Sequence, residues 1–204
     1  MERGAILTLV RHGETSANLD GVWHGSTDTA LTERGETQAE RVAERALERF
    51  SDAVKIYTSP LQRAHATGAA IERALGCPLE IEEGLREYDL GSWEGRTYRE
   101  LMEVEQFWTH IQNDPHFAPH GGETPLAVAT RLTEALERLS HRHRGERIFI
   151  VTHGGALSMA LGAILDGDYS QWRRVMSNCA VTELVVHPKP ELLSFNETDH
   201  LEGV

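Results

Sequence analysis

The chain has 204 residues, 40% of them hydrophobic and 25% charged. That is the make-up of an ordinary folded domain long enough to bury a core, and it excludes a disordered or fibrous protein. The net charge of -12 at pH 7 repels polyanions and argues against nucleic acid or an anionic membrane as partner; a small phosphate ester stays admissible, because a few close cations outweigh a diffuse, salt-screened background.

No segment approaches the ~20 apolar residues of a membrane span. After the first four residues the apolar run 5–10 is only strand length, so no secretory leader is expected and the cytoplasm is the expected location. Cys77 and Cys179 lie far apart without CxxC spacing. They read as buried thiols in a reducing compartment, not as a disulfide or zinc framework.

Taken in order, Ala5 to Val10 reads as a first buried strand. Thr32 reads as the N-cap of a helix reaching about Phe50. Val54 to Thr58 is a second strand. Ser59 then reads as an N-cap, with Pro60 in the first helical position of a helix that stops at Gly76. Leu79 to Ile81 is a short third strand, and Thr97 to about Ile111 looks helical. Residues 114–122 carry Pro115, Pro119, Gly121 and Gly122 and read as irregular. A helix from about Thr124 to His143 leads to the clearest buried strand, Arg147 to Thr152. A helix from Gly154 to Leu165, a core strand from Ala180 to Val186 and an edge strand from Leu192 to Phe195 follow. Strands alternating with helices predict an α/β domain with a largely parallel sheet.

Such sheets bind ligands at the carboxyl ends of their parallel strands. The first strand is followed by Arg11-His12-Gly13 and the second by Ser59, Pro60 and Arg63. The third is followed by Arg86-Glu87 and the strand 147–152 by His153-Gly154-Gly155. Parallel strands would bring two arginines, two histidines and a carboxylate to one edge. Two planar guanidinium forks suit a phosphoryl dianion. Gly13 and Gly154 let backbone approach an anion, and Gly154 opens a helix whose N–H groups favour one. Arginines next to His12 keep its imidazole neutral and able to attack phosphorus, and Glu87 is the carboxyl group in reach of the leaving oxygen. Arg11, Arg63 and His153 would stabilise the transferring phosphoryl group.

The stretch Leu9-Val10-Arg11-His12-Gly13-Glu14-Thr15 followed by Asn18 resembles the signature of the histidine phosphatase superfamily, with its phosphoglycerate-mutase-like fold. The resemblance runs in order through residues 28–35, 58–64, 86–95, Gly122-Glu123-Thr124 and Val151-Thr152-His153-Gly154-Gly155. It implies that His12 is the phosphorylated histidine, that Arg11, Arg63 and His153 bind the phosphoryl group, and that Glu87 donates the proton. Asn18 matches a position in contact with substrate or phosphate. His24 and Gly25, in the loop after the signature, are also placed at the substrate. No metal and no other cofactor is implied, and a homodimer is admissible by resemblance.

The mutases resembled here carry a long insertion before the second histidine, whereas 66 positions take this chain from Glu87 to His153. A short cap admits water, and the segment 91–97 resembles the phosphatase branch. The expectation is therefore a phosphatase acting on small phosphomonoesters through a phosphohistidine. A cofactor-dependent phosphoglycerate mutase and a non-catalytic phospho-ligand module are the alternatives. The fold expected is one domain over 1–204, a three-layer α/β sandwich with a mostly parallel sheet, helices on both faces and a small helical cap over about 91–125.

Other residues carry blander readings. His116 and His120 sit in a proline-broken loop and His141 and His143 near a helix end, so none is expected to bind metal. Trp93 and Trp108 read as packing, Glu14 as a structural hydrogen-bond partner, and Arg96 and Arg99 as solvated, with the pocket mouth open to one of them. The charges Glu40, Arg41, Glu44 and Arg45 read as a solvated helix face.

Overall fold

The computed structural model describes residues 4–118, 121–171 and 174–204; Pro119 and His120 of the irregular segment lie outside them. Strands β1 (Ile6–Arg11), β2 (Ala53–Thr58), β3 (Leu79–Ile81), β4 (Arg147–Thr152), β5 (Val181–Val185) and β6 (Glu191–Glu197) form one sheet in the order β3-β2-β4-β1-β5-β6. β3, β2, β4 and β1 run parallel, and β5 and β6 add an antiparallel edge.

Side chains alternate across a strand, and here both faces are covered. On β4, Ile148 and Ile150 face one core with Leu7 and Leu9 of β1. Phe149 and Val151 face the other with Val10. The second core is closed by helices α2 (Glu33–Arg49) and α3 (Gln62–Leu75) through Ala39, Val42, Ala46, Ala64 and Ile71. The first is closed by α5 (Pro125–Arg142) and α6 (Gly154–Asp166) through Val128, Leu132, Leu136, Leu157 and Leu161. The result is the expected three-layer α/β sandwich. No helix among the described residues is long and apolar enough to cross a membrane.

Two expected boundaries shift. α3 starts at Gln62 with Leu61 as its N-cap and no side-chain cap bond, so Pro60 precedes the helix. The Ser59 hydroxyl is used elsewhere: it accepts from Leu61 N–H at 3.3 Å and shares a hydrogen bond with His153. The helix expected over 97–111 is broken. A π-helical turn at Glu100–Val104 gives way to a short helix, α4 (Phe107–Asn113), through Gln106 at φ 49°. One-turn α1 (Ser16–Leu19), capped by Thr15, completes the α-helices among the described residues.

Several packing readings hold. Both cysteines are buried and free. Buried Glu14 accepts from the Thr32 hydroxyl at 2.9 Å and pairs with Arg34. Of the helix charges, Arg41 pairs locally with Glu44, while Glu40 reaches Arg73 and Arg45 reaches Glu197, so that face is a seam between elements as well as a solvated surface.

Candidate active site

β1 and β4 are parallel neighbours with Arg11 opposite Thr152. The next residue on each strand therefore emerges beside the other at the carboxyl edge. The rings of His12 and His153 lie 5.2 Å apart between centroids, tilted by 56°. The His12 N–H donates to the Thr152 carbonyl at 3.0 Å, which closes the ladder beneath them. Both rings are buried.

His12 Nδ1 lies 2.7 Å from the Gly13 carbonyl oxygen. A carbonyl only accepts, so Nδ1 carries the proton and Nε2 keeps its lone pair in the neutral ring. Burial, then Arg63 and Arg11, hold this imidazole well below its ordinary value of 6.5, against an opposing push from the Gly13 carbonyl. His153 is held low by burial, then by Arg63, His12 and Arg11. Its Nε2 shares a 2.7 Å hydrogen bond with Ser59 Oγ, and its Nδ1 is buried without a hydrogen-bond partner among the described residues.

Arg63 is 2% exposed, and its guanidinium is held by backbone alone. It donates to the carbonyls of Thr27 at 2.8 Å, Gly25 at 2.8 Å and His24 at 3.1 Å. That loop is in turn gathered by Glu94, whose carboxylate accepts from the backbone N–H of Gly25, Ser26 and Thr27 and from the Thr27 hydroxyl at 2.7 Å. A Cβ on Gly25 would fall 1.9 Å from the Tyr88 carbonyl oxygen, so no side chain fits there. Arg11 donates to the Met176 carbonyl at 2.7 Å, while its buried Nε–H has no hydrogen-bond partner among the described residues. Its side chain lies against Gly154, where a Cβ would come within 3.1 Å of Nε.

Glu87 sits at the start of α6. Gly155 N–H donates to Oε2 at 2.9 Å, Ala156 N–H to Oε1 at 2.7 Å and Tyr88 N–H to Oε1 at 2.8 Å. The carboxyl group thus takes N–H groups the helix cannot satisfy itself, and it is fixed by them. Arg131 pins the loop from behind, donating to the carbonyls of Gly84, Arg86 and Glu87 and pairing with Glu123 at 2.8 Å.

These groups open on a cavity of about 200 Å³. Arg11, His12, Asn18, His24, Arg63 and Glu87 supply its polar lining beside Gly154, and Val22, Trp23, Tyr98, Met102, Trp108 and Val175 supply its apolar and aromatic lining. The Asn18 amide oxygen accepts from Thr15 N–H, the Thr15 hydroxyl and Asn178 Nδ2, which orients its amide. His24 Nδ1 is 3.1 Å from the Thr29 hydroxyl.

Two expected ligand contacts are placed differently. The Gly13 N–H is spent on the Thr67 hydroxyl at 3.0 Å, and the missing Cβ makes room for the Gly35 carbonyl, 2.5 Å from where it would stand. Gly25 lies behind Arg63, not on the cavity wall. Trp108, read as packing, lines the cavity. Arg96 pairs with Glu105 and Arg99 with Glu103, and neither lines the cavity. The sequence reading did not find Asn178, Glu94 and Arg131 as supports. Asn178 and Arg131 lie far along the chain from the groups they hold, and no local pattern points to them. Glu94 stood inside a recognised segment, and its place beside Trp93 was the one available signal.

Residues 7–198 match the family described as the histidine phosphatase superfamily, branch 1. The chain is 39% identical over 156 residues to a metal-independent phosphoserine phosphatase of Arabidopsis thaliana, covering 74% of this chain and 65% of that protein, just under two thirds. It is 34% identical over 189 residues to a probable phosphoglycerate mutase GpmB of Cronobacter sakazakii, covering 91% and 87%. The solved phosphoserine phosphatase of Entamoeba histolytica, in complex with 3-phosphoglyceric acid, superposes with a TM-score of 0.85 at 30% identity, over 97% of this chain and 99% of that one. The chain therefore belongs to the histidine phosphatase superfamily, and its fold is that of the phosphoglycerate-mutase-like proteins.

Proposed function

We propose that the protein is a phosphatase that hydrolyses small phosphomonoesters without a metal, through a phosphohistidine on His12. One observation carries this reading: a buried, neutral imidazole has its Nδ1–H tied to the Gly13 carbonyl and so offers Nε2, in a cavity it shares with Arg11 and Arg63. In the first step Nε2 of His12 forms a bond to phosphorus while the bond to the leaving oxygen breaks, and that oxygen takes the proton of the Glu87 carboxyl group. In the second step water attacks phosphorus, its proton passes to Glu87, the P–N bond breaks, and inorganic phosphate leaves. Arg11, Arg63 and His153 surround the transferring group; Asn18, His24 and Gly154 border it. Residues 91–125 serve as the cap, and the cytoplasm is the proposed setting.

Relatives named phosphoserine phosphatase and mutase both occur, so the decisive measurement separates transfer to water from transfer back to substrate. The protein is incubated with 3-phosphoglycerate and a trace of 2,3-bisphosphoglycerate, alongside a panel of phosphomonoesters. Release of inorganic phosphate and an acid-labile phosphoprotein, both absent in His12→Ala, are the expected results. Efficient isomerisation without phosphate release would make the protein a mutase.

A further inference from the structure

Arg11 and Arg63 are the only arginines or lysines that line the cavity among the described residues, and the phosphatase reading assigns both to the phosphoryl group. The rest of the lining forms a largely apolar and aromatic wall. Trp23 stacks on Tyr98 with centroids 5.4 Å apart and 29° between planes, and it meets the Phe107 ring edge-on at 5.2 Å.

The backbone is bent to build this wall. Tyr98 and Met102 stand four residues apart on either side of the start of the π-helical turn, and Trp108 follows a non-glycine residue in the left-handed region, Gln106. Both features cost conformational energy and persist where the surroundings demand them. The basic side chains of the same segment are turned to other uses: Arg96 pairs with Glu105, Arg99 with Glu103, and His110 stacks on Phe117 at 4.2 Å.

Against this wall a carboxylate on the leaving group would be stripped of water and, among the described residues, would meet no guanidinium or ammonium beyond the two arginines taken by the phosphoryl group. A flat apolar group would gain burial there. We infer that the cavity selects phosphate monoesters of uncharged, apolar alcohols over carboxylate-bearing ones such as phosphoserine and 3-phosphoglycerate, with Tyr98, Met102 and Trp108 as the specificity-determining residues. This rests on the phosphatase reading of the same cavity.

The test compares kcat/KM for 2-phenylethyl phosphate, O-phosphoserine and 3-phosphoglycerate. All three have alkyl leaving groups, so activation of the leaving oxygen does not confound the order. The aryl-alkyl ester is expected to lead by roughly 10-fold or more, the discrimination a pocket of this kind supplies. Met102→Lys, which sets a cation in the wall, should shift the ratio toward the carboxylate esters by a similar factor; Trp108→Ala should shrink the preference if the lysine variant does not fold. Equal or faster phosphate release from the carboxylate esters overturns the inference while leaving the phosphatase reading intact. If no ester releases phosphate, the phosphatase reading fails. Calorimetric titration of the unreacted protein then decides the wall separately: tighter binding of 2-phenylethyl phosphate supports it, and tighter binding of 3-phosphoglycerate overturns it.

Discussion

The floor and the wall of the cavity are built by opposite means. The floor stands on strand ends, and most of its hydrogen bonds run to backbone: Arg63 to three carbonyls, Glu87 to three N–H groups, His12 to the Gly13 carbonyl, with His153 on the Ser59 hydroxyl. The wall stands on a π-helical turn and a seven-residue helix, and its contacts are ring faces and a methionine. Hydrogen bonds to backbone fix position to a few tenths of an ångström, whereas apolar packing tolerates exchange at modest cost. A fold can thus keep one chemistry and vary its substrate by changing the wall alone.

If that division is right, the largest effects come from the floor. Glu87→Gln should lower kcat by about 10²–10⁴ on alkyl phosphates and far less on p-nitrophenyl phosphate, whose leaving group needs no proton; equal losses on both would remove Glu87 as proton donor. Glu94→Gln should lower kcat/KM by roughly 10-fold or more, although Glu94 does not line the cavity, because the loop holding Arg63 loosens. An unchanged kcat/KM would confine the division to the side chains that touch substrate.

The third effect is read in stability. His12 and His153 are held neutral in the fold, well below the 6.5 of an exposed imidazole. Between those values the unfolded chain binds protons that the folded chain does not, so stability is full above pH 6.5 and falls as the pH drops below it. The slope is up to about 1.4 kcal/mol per pH unit for each ring. Urea titrations at pH 7.5 and 5.5 should show this fall in the wild type and a shallower one in His153→Asn; parallel curves would mean that burial does not keep His153 neutral. The smallest effect belongs to the wall. Trp108→Ala should raise KM for an aryl-alkyl ester roughly 5-fold with kcat unchanged, and a matching fall in kcat would show that the wall also shapes the reacting geometry.

The same contrast governs what could be read from sequence. β1 to β4 announce themselves as apolar runs, and the residues that follow them come to one edge because the strands are parallel, so the gathering of His12, Arg63, Glu87 and His153 was legible. The segment 97–111 was not. Its apolar spacing is helical, and nothing local signals a π-helical turn or a left-handed Gln106, which lie between and beside the cavity residues Tyr98, Met102 and Trp108. The uses of Gly13 and Gly25 were misjudged for a related reason. A glycine shows that something comes close, and only the fold shows that it is the Gly35 and Tyr88 carbonyls rather than a ligand.

The order of the strands has a further consequence. β1 and β2 do not touch; each pairs with β4, which is inserted between them. Up to Glu146 an emerging chain has both strands but only the β2–β3 pair of the final sheet, and the ladder beneath His12 and His153 does not exist. The setting of His12 is thus assembled at a late topological step, across a sequence gap that makes this pairing slow to form. A partly made chain carries Arg11-His12-Gly13 without its electrostatic setting, so catalytic competence in this molecule doubles as a report that the centre of the sheet has closed.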